Sequence, residues 1–135
     1  MDFGFTDRHQ EILAVVGRPG RENFRYRAAQ YDAGTQSPIA NILDFQRAGL
    51  LNLTIRAEHG GQDSGALGSD PLLYLLAVEE TARHCPGTAQ RVHIHYHATH
   101  FLDRLATEAQ REKFLRPGAW SGCAPPSAAA CRRRG

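Results

Sequence analysis

The stretch of sequence that decides the fold is residues 71–84, which read PLLYLLAVEETARH. Large aliphatic side chains cover a wide face of it, at Leu72, Leu73, Leu75, Leu76 and Val78. A helix that is wetted along one side needs fewer apolar positions than this. The stretch therefore predicts a helix from Leu72 to about His84 at the centre of the domain, started by the cap residues Ser69 or Asp70 and by Pro71.

Helix-start signals recur on both sides of this central segment. They are the cap residues Thr6 and Ser37, and a capping box in which Thr107 precedes Gln110 by three positions. Proline at 19 and at 86, each followed by glycine, predicts two breaks, so that further helices begin near Glu22 and Thr88. The pattern predicts an all-α fold, a helical bundle of about five or six helices, in one domain over residues 1–122.

Composition narrows the class of protein. The chain has 135 residues, is 41% hydrophobic and carries a formal charge of +2. Three of its positive charges are Arg132, Arg133 and Arg134, so the remainder carries −1 and shows no basic face for nucleic acid. From residue 123 onward the sequence is rich in proline, alanine and arginine and has no amphipathic period. This composition predicts a disordered tail over residues 123–135.

The compartment is predicted from what the sequence lacks. The first residues have no basic region followed by an apolar one, and no apolar stretch reaches 18 residues, so neither a signal peptide nor a membrane span is expected. Cys85, Cys123 and Cys131 have no paired spacing, so a disulfide framework is not expected either. These observations favour the cytoplasm.

Four histidines lie between residues 93 and 100. On a helix, His93, His97 and His100 fall at i, i+4 and i+7 and share one face, whereas His95 points away. Three imidazoles can hold zinc, but side chains two turns apart are separated by about 10 Å along the axis. We therefore expect no tight metal site on this face, and a helix face packed in a larger assembly; a metal-binding or protein-binding module that uses this face is the alternative.

Other candidate sites are weaker. Adjacent glutamates at 79 and 80 point about 100° apart on a helix, which indicates a helix surface with an ion pair from Glu79 to Arg83 rather than acid–base chemistry. The glycines at 60, 61, 65 and 68 match neither a P-loop nor a dinucleotide fingerprint. Chemistry alone therefore identifies no catalytic residue.

Five segments, in order, resemble the N-terminal helical domain of acyl-CoA dehydrogenases. They are Phe5-Thr6-Asp7-Arg8-His9-Gln10, Arg27-Ala28-Ala29-Gln30-Tyr31-Asp32 with Pro38 after it, the run from Ala48 to Gly61 ending in Gly60-Gly61, Leu76 to Arg83 with its paired glutamates, and Thr107 to Leu115. The resemblance covers about residues 3–122. The resemblance ends after Gly122. At this point the family enters a β-domain, whereas this chain continues with Pro125-Pro126. The difference suggests that the coding sequence is truncated or frame-shifted.

The resemblance implies a fragment of an FAD-dependent oxidoreductase that removes hydrogens from Cα and Cβ of an acyl-CoA thioester. The family binds FAD and places its catalytic glutamate in later domains, so no catalytic and no cofactor-binding residue is assigned here, and the chain alone is expected to bind no FAD and to be inactive. Homo-oligomers are typical of the family but are not expected of this fragment. By resemblance, one wall of the acyl pocket is formed by Val92, His93, Ile94, Tyr96, His97 and Phe101.

Overall fold

A computed structural model of the chain describes residues 4–34 and 36–115. Its helices are α1 (Asp7–Pro19), α2 (Arg25–Asp32), α3 (Ile39–Arg47), α4 (Pro71–Ala82), α5 (Pro86–Leu105) and α6 (Glu108–Leu115), with a π-helical turn at Gly20–Phe24 and a 3-10 turn at Ala57–His59. No strand occurs in these two ranges. The prediction of an all-α fold is confirmed, whereas the predicted tail lies outside the described residues.

Helix α4 lies at the centre, packed against α1 on one side and α5 on the other. Leu73, Leu76 and Ala77 are buried between these neighbours, whereas Leu72 and Leu75 reach the surface. The core around α4 consists of Ile12, Val16, Phe24, Phe45, Leu50, Leu53, Leu73, Tyr74, Leu76, Ala77, Cys85, Val92 and Tyr96. The prediction that α4 is the central helix is confirmed.

The predicted helix starts are formed by local hydrogen bonds at both ends of the chain. The Thr6 hydroxyl accepts from the His9 amide at 3.3 Å, and the Thr6 amide donates back to the His9 ring. The Thr107 amide donates to Gln110 Oε1 at 2.9 Å, as expected of a capping box. Ser37 does not cap α3, because the helix begins one residue later than predicted, with Pro38 at the cap position.

The break predicted at Pro19 is wrong. The chain stays helical from Asp7 to Asp32, and the disturbance is absorbed by the π-helical turn at Gly20–Phe24, where the Arg25 amide donates to Gly20 O five residues back. Proline lacks an amide hydrogen, so a wider turn keeps the neighbouring backbone bonded without unwinding the helix. Similarly, α5 begins at Pro86 rather than near Thr88, because the first helical position needs no amide donor.

The glycine pair at 60 and 61 allows the chain to turn tightly against itself. Gly60 has φ of +84°, and a Cβ on Gly61 would lie 2.1 Å from the backbone oxygen of Ile55. We expect Gly61→Ala to lower the free energy of unfolding by about 1–3 kcal/mol, because a backbone atom must move to relieve the clash. The measurement is urea denaturation monitored by circular dichroism.

The matched control for this substitution is Gly87→Ala. Gly87 lies in α5 with nothing within 4 Å of a Cβ added to it. Alanine there should be neutral or stabilising by up to about 1 kcal/mol, because it restricts the unfolded chain. Equal stability of the two variants would contradict the close approach at Gly61.

Candidate functional site

Helix α5 has one face in the core and one at the surface. Val92, Tyr96 and Asp103 are buried, whereas Ile94, Phe101 and Leu105 are exposed. The exposed residues are spaced by seven and four positions, so they form one stripe along the helix. An exposed apolar stripe on a helix that is anchored along its opposite side is a candidate contact surface.

The structure divides the six residues assigned to the acyl wall. Val92 and Tyr96 lie in the core, where the Tyr96 hydroxyl donates to Leu50 O at 2.8 Å and the ring meets Tyr74 edge-on. Burial raises the pKa of Tyr96, so this hydroxyl stays protonated. His93 is half-buried, and Ile94, His97 and Phe101 are exposed. A ligand on this side would therefore meet the last three and the edge of His93.

Two of the three histidines predicted to share a face lie together. The ring centroids of His93 and His97 are 4.2 Å apart. His100 is buried against the loop before α4, where a Cβ on Gly65 would lie 2.1 Å from its Nδ1. Within the described ranges no group of three or more potential metal ligands is assembled.

His95 points away from this pair, as predicted. Its Nε2 donates to Leu51 O at 2.7 Å. Burial lowers the pKa of His95, and the hydrogen bond to Leu51 opposes this lowering only in part. His95 therefore fastens α5 to the segment after α3 as a neutral donor.

A second polar cluster joins the segment before the Gly60-Gly61 turn to α5. The carboxylate of Asp103 is fully buried and accepts from Arg56 Nε at 2.9 Å and from the Arg56 amide at 3.2 Å. Its other oxygen accepts from His59 Nδ1. The Arg56–His59–Asp103 cluster thus holds the turn against the helix.

Opposing effects set the pKa of Asp103. Burial acts to raise it, but the hydrogen bonds from His59 and Arg56 outweigh burial and hold the pKa below its usual 3.8. The hydrogen bond to Asp103 raises the pKa of Arg56 in turn. Both groups therefore stay charged, and the cluster is an ion pair with its negative end in the protein interior.

A surface pocket of about 340 Å³ lies beside this cluster. It is lined by Glu58, His59, Gly60, Glu108, Arg111, Glu112 and Leu115. Arg111 is bonded to Glu108 Oε2 at 3.1 Å and to Ala106 O, so its guanidinium is already engaged. With three glutamates at its rim, the pocket is unfavourable for phosphate groups.

The paired glutamates on α4 have different surroundings. Glu79 is exposed and bonds Arg83 at 2.9 Å, so the predicted ion pair is confirmed. Glu80 is buried and lies 3.3 Å from His84 Nε2 and 3.4 Å from Arg83. The prediction that both lie on the helix surface is wrong for Glu80, because α1 packs against it at Gly17, where an added Cβ would lie 2.9 Å from Glu80 Oε1.

In the part of the chain that the structure describes, no helix is both long and apolar enough to cross a membrane. No solved structure gives a significant match to the chain.

Curated relatives are similar to the chain over most of its length. It is 30% identical over 119 residues to a short-chain-specific acyl-CoA dehydrogenase of Clostridium acetobutylicum, which covers 87% of this chain and 30% of the relative. It is 33% identical over 122 residues to the enzyme of the same description from Megasphaera elsdenii, with the same two coverages. An acryloyl-CoA reductase (NADH) of Anaerotignum propionicum is 29% identical over 116 residues, covering 85% and 28%.

The match to a family model agrees with these relatives. The model of the acyl-CoA dehydrogenase N-terminal domain matches residues 6–120. This range contains all six described helices, and the chain spans about 30% of the length of the curated relatives it matches. The resemblance noted in the sequence is confirmed: the chain belongs to the acyl-CoA dehydrogenase family, through the N-terminal helical domain of that family.

Proposed function

We propose that this chain is the helical part of an oxidoreductase that dehydrogenates an acyl-CoA thioester between Cα and Cβ. Its role is that of a scaffold which presents one wall of the acyl pocket. The observation that carries the proposal is the exposed stripe on α5, with Ile94 and Phe101 at the surface and Val92 and Tyr96 fixed in the core behind them.

The free energy gained by burying apolar side chains favours a stripe that is covered by another molecule or domain over one that is exposed to water. Burying one large apolar side chain is worth about 1.5–3 kcal/mol, so a surface that keeps several of them is typical of a contact site. The relatives have about 70% of their length outside the matched region, and two of them are described as short-chain-specific acyl-CoA dehydrogenases. An acyl chain and the remaining domains are therefore the proposed occupants of this surface.

FAD, the cofactor of the family, does not fit the pocket beside His59 or the glycine pair at 60 and 61. The pocket beside His59 carries Glu58, Glu108 and Glu112, which would repel a pyrophosphate. The glycines at 60 and 61 are closed against Ile55 O and leave no cradle. We assign no catalytic base and no flavin contact to this chain, and we propose that it is inactive by itself.

The compartment and the partners of the chain are also part of the proposal. We propose that the chain acts in the cytoplasm, with an acyl-CoA as its small-molecule partner and without nucleic acid. A homo-oligomer is not expected of the helical part alone. The buried, unpaired thiol of Cys85 is compatible with a reducing compartment.

The test is a chimera with the Clostridium acetobutylicum relative, in which residues 6–115 replace the aligned N-terminal part. The chimera should bind flavin and oxidise a short-chain acyl-CoA, because this chain supplies the scaffold and the relative supplies the rest. The chain alone, mixed with excess FAD and freed of unbound flavin, should show no visible flavin spectrum. A yellow isolated chain, or a folded chimera that takes up no flavin, would refute the proposal.

A pair of variants in the chimera tests the acyl wall itself. Phe101→Asp should raise KM for the acyl-CoA at least tenfold, because it places a charge where the apolar chain would lie. Ile39→Asp is the matched control, since Ile39 on α3 is 63% exposed and Phe101 is 59% exposed. If the two variants change KM equally, the stripe on α5 is not the wall.

A further inference from the structure

The chain contains seven histidines, and five of them are held in place by other groups. These five contacts are His9 with Asp70, His59 with Asp103, His84 with Glu80, His95 with Leu51 O, and His100 against Gly65. His93 and His97 instead contact each other, with their rings tilted by 58°. The pair lies on α5, with His97 exposed and His93 half-buried.

We propose that His93 and His97 form a two-imidazole site for a late first-row divalent metal ion, with Cu²⁺ bound most tightly. Residues at i and i+4 sit one above the other on a helix, so both rings can turn toward one ion. Imidazole nitrogens bind such ions at about 2.0–2.1 Å, and two of them at a right angle place the ring centroids roughly 4–5 Å apart. The observed separation of the ring centroids, 4.2 Å, lies within this range.

The chemistry of the ligands selects the ion. Imidazole suits copper, nickel and zinc, and affinity among divalent first-row ions is greatest for Cu²⁺, whereas Mg²⁺ prefers oxygen ligands. In the chain by itself, water completes the coordination, because His97 is open to solvent there. With two protein ligands the ion exchanges readily and is lost on desalting, so binding has to be measured at equilibrium.

Binding to this pair depends on the folded helix. The two rings face each other only while residues 93–97 are helical, so the metal binds the native state in preference to the unfolded chain. An ion of this kind raises the melting temperature, and the increase grows with its concentration above Kd. Stability is therefore a direct measure of occupancy.

The experiment uses the full chain with Cys123→Ser and Cys131→Ser, because thiolates also bind these metals and reduce Cu²⁺. Melting is followed by circular dichroism with CuCl₂, ZnCl₂ or MgCl₂. We expect stabilisation by Cu²⁺, less by Zn²⁺ and none by Mg²⁺, and electron paramagnetic resonance of the copper form should show two nitrogen donors. His93→Ala and His97→Ala should each weaken Cu²⁺ binding at least tenfold and leave one nitrogen donor.

The matched control keeps the number of histidines and changes their spacing. The double variant His93→Ala/Gln90→His retains seven histidines but places the two imidazoles seven positions apart, about 10 Å along the helix. Gln90 is exposed, so the fold should be unaffected. The double variant should bind like His93→Ala. Cu²⁺ affinity equal to that of the parent in the double variant, or in both single variants, would overturn the proposal.

Discussion

Replacing Leu76 with aspartate is expected to unfold the domain, whereas the same replacement at Leu75 should leave it folded. Leu76 is 4% exposed in the core around α4, and Leu75 is 46% exposed on the same helix. A carboxylate without a partner in an apolar core costs several kcal/mol, which is comparable with the whole stability of a domain, about 5–15 kcal/mol.

The comparison is made by far-ultraviolet circular dichroism and thermal melting of both variants. Because the two side chains are neighbours on α4, helix propensity and net charge change equally, and only burial differs. Leu76→Asp should lack a cooperative transition, and Leu75→Asp should melt within a few degrees of the parent. A cooperative melt of Leu76→Asp near that of the parent would show that α4 is not the central helix.

Asp103→Asn is expected to have the second-largest effect, a loss of about 3 kcal/mol in the free energy of unfolding. The asparagine keeps the size of the side chain but removes the charge that faces Arg56 and His59 inside the protein. The matched control is Asp63→Asn. Asp63 forms a half-exposed ion pair with Arg104 at 3.6 Å, and loss of such a pair costs about 0–1 kcal/mol.

The pH dependence of this effect has a defined sign. Because the pKa of Asp103 is lowered by folding, its contribution is fully present above the unfolded pKa, about 4, and is lost as the pH falls through the lower folded value. The stability difference between parent and Asp103→Asn should therefore be complete at pH 5 and shrink below about pH 4. Urea denaturation at pH 5, 4 and 3 measures it; a difference that stays constant to pH 3 would contradict the ion pair.

The main features of the fold can be predicted from local sequence. The density of leucine in residues 71–84 is sufficient to place α4 at the centre, and Thr6 and Thr107 act as caps because their bonds reach only three residues away. The response to Pro19 could not be predicted in this way. Whether a proline breaks a helix or is absorbed in a π-helical turn depends on packing that local sequence does not contain.

The polar features of the candidate site were predictable only in part. Arg56 and Asp103 are 47 positions apart, and no spacing rule links them, because the turn that brings them together is fixed by the core. The sequence also could not predict which of the six acyl-wall residues on α5 are buried and which are exposed. Histidines and apolar residues alternate between 92 and 97, so the sequence does not show that Val92 and Tyr96 face inward while Ile94 and His97 face outward.

The π-helical turn at Gly20–Phe24 determines which side chains of α2 face the core. It holds one residue more than an α-helical turn, so the side chains of α2 are rotated by about 100° from where an uninterrupted α-helix would place them. With this phase, Phe24 is buried and stacks on Phe45 at 5.8 Å, while Arg27 reaches Asp44 at 2.8 Å. A relative with a one-residue gap here is therefore expected to have a plain α-helix rather than a loop, and to present the same face of α2 to α3.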